Sequence, residues 1–361
     1  NEIETKISRV RRLLAERHLD ALVVQRSTNF SWLTGGASSS INLADDLGEG
    51  TLVITPERRY LVTNNIEALR FIQEEHLDDQ EWEFIVGNWY ETFDLIGTIT
   101  PRMRLASDGF YRGENLNQDL MRLRINLLPE EQDRFRRLGK GCAGAMKAAI
   151  DRVRPGQSEV EIAAILSAET QRRGMTPTVN LIGTDQRIFD FRHPLPTDKK
   201  LNKYAMLILC GRQYGLVCSL TRSIHFGPLT EELKEKAQAV AQIDAIMIKA
   251  TRPGIEMNRI FEVGQKEYEL TGYKDEWRKH HQGGPAGYLP REIIINENTD
   301  TLVAEGHVFA WNPSIRGVKS EDTFLVGPEK NHNLTEVEDW PVIEVQMSNE
   351  IVNRPAILEI K

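Results

Sequence analysis

Three cysteines in 361 residues, Cys142, Cys210 and Cys218, are too few and too irregularly spaced for a disulfide framework, and no C-x-x-C pair offers a thiolate zinc site. That usage predicts a reducing, cytoplasmic compartment. No run approaches eighteen apolar residues, so no membrane span is expected. The stretch from Asn1 to Leu14 is charged throughout and lacks the apolar core of a secretory leader, which leaves the sequons at Asn29 and Asn333 without a secretory context. An excess of positive charge is missing as well. Lys and Arg number 45 against 53 Asp and Glu, a net charge of -8, and this argues against binding along a phosphate backbone.

What is present is the composition of a globular protein, 40% hydrophobic and 27% charged, in a chain long enough for two domains. Ile7, Val10, Leu13 and Leu14 recur at helical spacing, and the apolar run from Ala21 to Val24 reads as a strand, the alternation of an α/β unit. Thr51 to Ile54 and Tyr60 to Thr63 flank the turn residues 56–59 as a hairpin, and Glu83 to Val86 is a further strand. Pro129 followed by Glu130 and Glu131 opens a helix with a favourable first turn. The expected division is 1–127 and 128–361.

The second part repeats itself. A helix stops at Arg154-Pro155-Gly156 and another begins, with Ser158 and Glu161 spaced as a capping box. Ninety-eight residues on, a helix stops at Arg252-Pro253-Gly254 and a second follows. These second helices end at Gly174 and Gly272 and lead into strand-like stretches. Two such units imply pseudo-two-fold halves around a shared sheet, with a cleft between them as the natural site. Two motifs are set aside. Gly139 to Gly144 matches G-x-G-x-x-G, but a charged segment precedes it where a dinucleotide fold needs a buried strand. His280-His281 lacks the H-E-x-x-H partner of a helical zinc motif.

Four segments of this part are dense in reactive side chains: 190–198 with His193, 218–222 with Ser219 and Arg222, 280–288 with His281 and Tyr288, and 311–323 with Asn312 and Glu321. Their order, with the paired helices and the Arg-Pro-Gly breaks, resembles the pita-bread fold of the M24 peptidase family, which includes methionine aminopeptidase, aminopeptidase P, prolidase and creatinase. Asp20 to Val24 and Asn29 to Gly35 are similar to the creatinase-type N-terminal domain. The resemblance implies an α+β chain: a creatinase-type N-terminal α/β domain followed by a pseudo-two-fold pita-bread catalytic domain.

The family's peptidases hold two divalent metals through two Asp, one His and two Glu. Carried onto this sequence, the first Asp falls on Ile208 and the second on Ser219, the His on His281, the first Glu on Asn312 and the last on Glu321. Two of five ligands remain, too few anionic oxygens for a pair of hard ions. The expectation is no dinuclear centre and no obligatory cofactor, with room for a single divalent metal on His193, His281 and Glu321. By the same resemblance His193 is the acid/base residue, as in creatinase, which works without metals. His281 and Glu321 complete the catalytic set, with Glu321 facing a cationic or N–H-bearing part of the substrate. Ser219, Arg222, Tyr288 and Asn312 are the substrate-binding candidates, and Arg316 or Lys319 is a further anchor for a substrate carboxylate. Tyr288 stands where proline-specific members carry a second histidine, which weighs against Xaa-Pro specificity.

The activity expected is therefore hydrolysis of a C–N bond, amide or amidine, in a small molecule or short peptide. The alternatives are a metal-dependent Xaa-Pro-type peptidase with a reduced mononuclear site and a catalytically inactive binding module. Neither nucleic acid nor membrane is an expected partner. A homodimer is expected, with Arg26, Asn29 and Trp32 as residues that would reach a neighbouring subunit's site.

Overall fold

The computed structural model describes residues 1–347 and 350–361. Two compact units emerge, Asn1–Glu131 with Tyr214–Leu216, and Gln132–Gln213 with Val217–Lys361.

In the first unit, the helix Glu2–Glu16 buries Ile7, Val10, Leu13 and Leu14, the face given by its apolar spacing. A six-stranded sheet runs in the order Glu83–Gly87, Arg59–Asn64, Leu47–Ile54, Ala21–Arg26, Leu105–Ser107, Glu114–Asn115. The expected hairpin is antiparallel, with Thr51 opposite Val62 and Val53 opposite Tyr60. Ala21–Arg26 lies in the middle of the sheet, and its first four residues are buried. Two of the three residues expected to reach a neighbour do not. Asn29 and Trp32 are fully buried, and Asn29 is held by Asp108 and Arg124. A short helix, Ser27–Leu33, turns both inward, so the segment's resemblance to a reaching loop did not carry their orientation.

The second unit realises the repeat. Helices Pro129–Ile150 and Glu159–Gln171 precede strands Thr176–Thr184, Tyr204–Gln213 and Leu216–Phe226. Helices Glu231–Ala250 and Met257–Leu270 precede strands Gly283–Ala286, Val308–Trp311 and Asp322–Val326. The equivalence extends to single hydrogen bonds. Gly156 N donates to Leu201 O at 2.8 Å and Gly254 N to Val303 O at 2.9 Å, and Ser158 bridges Lys200 as Glu256 bridges Leu302. Both glycines have positive φ, 90° and 86°, a backbone that glycine adopts without the clash a Cβ would bring. The Ser158–Glu161 capping box is formed in both directions. In place of one shared sheet there are two four-stranded ones, the first closed by the parallel strand Leu358–Ile360 and the second by Asn331–Asn333. They abut along a seam, where Thr221 N donates to Glu321 O and Ser219 N to Thr323 Oγ1.

Gly139 to Gly144 lies inside the helix Pro129–Ile150. A Cβ on Gly139 would stand 2.2 Å from the Leu334 carbonyl oxygen, so close backbone packing accounts for that glycine. All three cysteines are buried free thiols. No helix among the described residues is long and apolar enough to cross a membrane.

Candidate active site

The seam between the two sheets brings the candidate residues together. Ser219 and Thr221 lie on one face of the strand Leu216–Phe226, two residues apart as the pleat requires, and Glu321 immediately precedes the strand Asp322–Val326. Glu321 is almost wholly buried and fully committed. Its Oε1 receives Arg291 Nη2 at 2.8 Å, and its Oε2 receives Lys319 Nζ at 2.8 Å and Thr221 Oγ1 at 2.5 Å. Arg291 Nη1 also reaches Ser219 Oγ at 3.1 Å. Burial alone would raise the Glu321 pKa, but Lys319 and Arg291 hold the carboxyl well below its usual range. Two cations on one carboxylate leave the cluster with a surplus positive charge.

The histidines form a second cluster. His193 sits on the loop after the short helix Gln186–Asp190, and His280 and His281 follow the 3₁₀ turn Glu276–Lys279. An Arg192–Glu276 ion pair at 2.5 Å ties the loop to that turn, and Glu276 also accepts from Arg316 N. His193 Nε2 and His280 Nε2 are consequently 3.0 Å apart. His280 Nδ1 is 2.5 Å from the His281 carbonyl oxygen. A carbonyl only accepts, so Nδ1 carries the proton of a neutral His280 and its Nε2 is an acceptor. His193 Nε2 must then donate to it, leaving the His193 lone pair on Nδ1.

All three rings are neutral at pH 7. Burial lowers His280 to about 2 and His281 to about 4, with Lys319 adding to both, and burial followed by Lys319 lowers His193. The group His193, His280 and His281 has one potential ligand nitrogen from each within 4.8 Å of the others. Glu321 is not part of it, which departs from the mononuclear set expected with Glu321, because the carboxylate is occupied by cations. For the same reason Glu321 offers no open carboxylate to a cationic substrate.

The remaining candidates divide. Asn312, buried beside Gln282 with its N–H on the Gln282 carbonyl, leaves Oδ1 without a hydrogen-bond partner among the described residues, as do His281 Nδ1 and Arg291 Nε. Arg222 is buried and committed to an ion pair with Asp322 at 2.8 Å and to the Thr335 carbonyl. Tyr288 is fully buried, its backbone N–H on Glu292. Arg316 is a rim residue 3.4 Å from Asp190. Sequence reasoning missed Arg291 and the pairing of Lys319, and it set aside His280. Lys319 carried a signal, because it stands two residues from Glu321 and so shares its side of an extended chain. Arg291 carried none. An open groove of about 1160 Å³, bordered by Arg136, Lys140 and Trp340, contains none of His193, His280 and His281.

A duplicated helix-helix-sheet unit with polar groups at the seam, following an N-terminal α/β unit in the chain, defines a creatinase-like protein of pita-bread fold. The sequence comparisons agree. The model of metallopeptidase family M24 matches residues 133–328 and that of the creatinase/prolidase N-terminal domain residues 6–109. The chain belongs to family M24. The Xaa-Pro dipeptidase of Pyrococcus horikoshii is 21% identical over 92% of this chain and 97% of its own, and that of Pyrococcus furiosus 22% over 93% and 99%. The solved prolidase structure from P. horikoshii superposes with a TM-score of 0.79 at 19% identity, covering 92% of this chain and 99% of that one.

The two-metal centre of such peptidases does not fit these residues. Of the positions that the resemblance assigns to carboxylate ligands, Ile208 lies in the hydrophobic core, Ser219 and Asn312 are neutral, and Glu321 is occupied by Arg291 and Lys319. Two dications drawing on that one carboxylate would have to displace Arg291 and Lys319 from it.

Proposed function

We propose that residues 128–361 form a catalytic domain that hydrolyses a C–N bond in a small amide or short peptide without a dinuclear metal centre, with His193 transferring the proton. The observation carrying this reading is that fixed cations occupy the carboxylate: Arg291 and Lys319, each 2.8 Å from Glu321, hold positive charge at the seam, and both act electrostatically on the His281 ring. His193 Nδ1 takes a proton from the attacking water and returns it to the leaving nitrogen, a role suited to a ring that is neutral at pH 7. The surplus positive charge stabilises the oxyanion that develops on the carbonyl. It also favours a neutral or anionic amide over a guanidinium, for which the occupied Glu321 leaves no counter-charge. The unpaired His281 Nδ1, Arg291 Nε and Asn312 Oδ1 are buried polar atoms of the kind a bound ligand or water satisfies.

The test is turnover of a dipeptide and N-acyl amino acid panel by chelator-treated protein. Chelator-resistant cleavage that disappears in His193→Ala supports the reading, and cleavage that requires added metal refutes it. A second reading, Xaa-Pro dipeptidase activity, is favoured by the coverage of the prolidase relatives. Chelator-sensitive cleavage confined to Xaa-Pro dipeptides is its signature. Homodimerisation, common in the family, is proposed with it, and sedimentation at a monomer mass would refute that part.

A further inference from the structure

We infer that His193, His280 and His281 form a binding site for one divalent transition-metal ion of the zinc type, sharing only His281 with the family's two-metal positions, and that metal bound there switches off His193 as a base. The second half rests on the proposed function; the first does not. Among the described residues this is the one group of three metal-ligating side chains gathered around a point.

Three neutral imidazoles suit zinc, nickel or copper and are poor ligands for magnesium or calcium, which take oxygen. The spacing suits a tetrahedral ion. Zinc–nitrogen bonds of about 2.0–2.1 Å place ligand nitrogens about 3.3 Å apart in that geometry. His193 Nε2 and His280 Nε2 are already 3.0 Å apart, and no ligand nitrogen is more than 4.8 Å from the others. Small side-chain rotations of the half-buried His281 or the loop-borne His193 would close the remainder.

His280 is also oriented as a ligand. Its Nδ1–H is donated to the His281 carbonyl, the arrangement by which metal-binding histidines fix their tautomer and present the other nitrogen. The carbonyl belongs to the next ligand, so the pair is braced by its own backbone. The Arg192–Glu276 ion pair brings the third ring in from the opposite segment. Three protein ligands leave a fourth position for water or another small ligand.

The switching follows from the tautomers. Without metal, His193 carries its proton on Nε2 and its lone pair on Nδ1. To ligate through Nε2, the ring must move that proton to Nδ1. No net proton is gained or lost, but the nitrogen that would accept a proton from water now bears one. Metal ligation and general-base action at His193 are mutually exclusive.

The experiment is a titration of chelator-stripped full-length protein with Co²⁺, followed by the visible absorption of the tetrahedral ion, with Zn²⁺ as competitor. One equivalent is expected to bind. His280→Ala and His193→Ala should each weaken binding at least tenfold, and Ser219→Ala, at a former two-metal position, should not. His193 lies on an exposed loop, so its variant tests the site even where the His280 variant folds poorly. Absence of equimolar binding, or wild-type affinity in both histidine variants, overturns the site. Turnover should fall on adding one equivalent of Zn²⁺ and recover with chelator; a rise overturns the switch while the cobalt result still judges the site. If the stripped protein turns over nothing on the panel, the proposed function and the switch fall together, and the titration again decides the site alone.

Discussion

Replacing Arg291 by methionine removes one of two cations from Glu321 while keeping most of the side-chain volume. Charges about 4 Å apart at an effective dielectric of about 20 interact by about 4 kcal/mol. Glu321 retains Lys319 and Thr221, and the variant no longer desolvates a guanidinium; together these return about 1 kcal/mol. The expected loss is therefore about 3 kcal/mol, the lower end for breaking a buried pair. In thermal unfolding this is a fall of roughly 6–12 °C in Tm for a domain of this size. Urea unfolding at pH 7 is the primary assay, with an unchanged m-value showing that the same surface unfolds. The pH dependence gives a second arm. The folded pKa of Glu321 is depressed below its ordinary 4.5, so its stabilisation is complete above pH 4.5 and is lost as pH falls toward the folded value. Losing Arg291 raises the folded pKa, and the gap between native and variant protein should narrow below pH 4.5. A loss under about 1 kcal/mol at pH 7, or a gap that widens in acid, would refute the claim that Arg291 helps hold Glu321 ionised in the folded protein.

Further expectations concern the groups around the site. Arg354 is fully buried between Asp244, at 2.7 Å, and Asp322, at 2.9 Å. Arg354→Met should lose about 3–5 kcal/mol by urea unfolding, because two buried carboxylates are left facing one another. Burial raises the Asp244 pKa to about 6, so its contribution is present below its ordinary 3.8 and declines as pH rises through 6; the Met variant should steepen that decline. If His193 is the base, its lowered pKa places the acidic limb of the rate profile below pH 6.5, and His193→Ala should cut turnover by about 10²–10⁴-fold. A limb above pH 6.5 would contradict the assignment. Ser158→Ala should lose about 1 kcal/mol through the capping box, with no change in metal affinity.

Local chemistry made much of the architecture legible. The 3.6-residue spacing of Ile7, Val10 and Leu14, the Ser158–Glu161 capping box and the two Arg-Pro-Gly stops each depend on neighbours a few residues away, and each appears in the fold as its spacing implies. The division of the repeated strands into two abutting sheets was not legible, because it depends on how Ser219 meets Thr323 across 104 residues. The site shows the same contrast. His193, His281 and Glu321 could be singled out from their segments, but the partners of Glu321 could not. Arg291 follows a proline in an irregular segment with no periodicity, and only the tertiary fold brings it 2.8 Å from the carboxylate. His280 was obscured by its neighbour, since adjacent histidines on a regular element would point apart. Here the chain changes from the 3₁₀ turn to extended backbone at His280 (φ −160°, ψ 147°), and the two rings lie 4.3 Å apart.

The Arg291–Glu321–Lys319 triad also bears on how the site could be redesigned. Restoring acids at 208, 219 and 312 would not by itself rebuild a two-metal peptidase, because the guanidinium and ammonium would pair with the new carboxylates first. Removing the two cations beforehand would strand Glu321 in the protein interior. Building a two-metal centre here therefore requires changing the cations and the neutral positions together, because each change made alone leaves a buried charge without its partner.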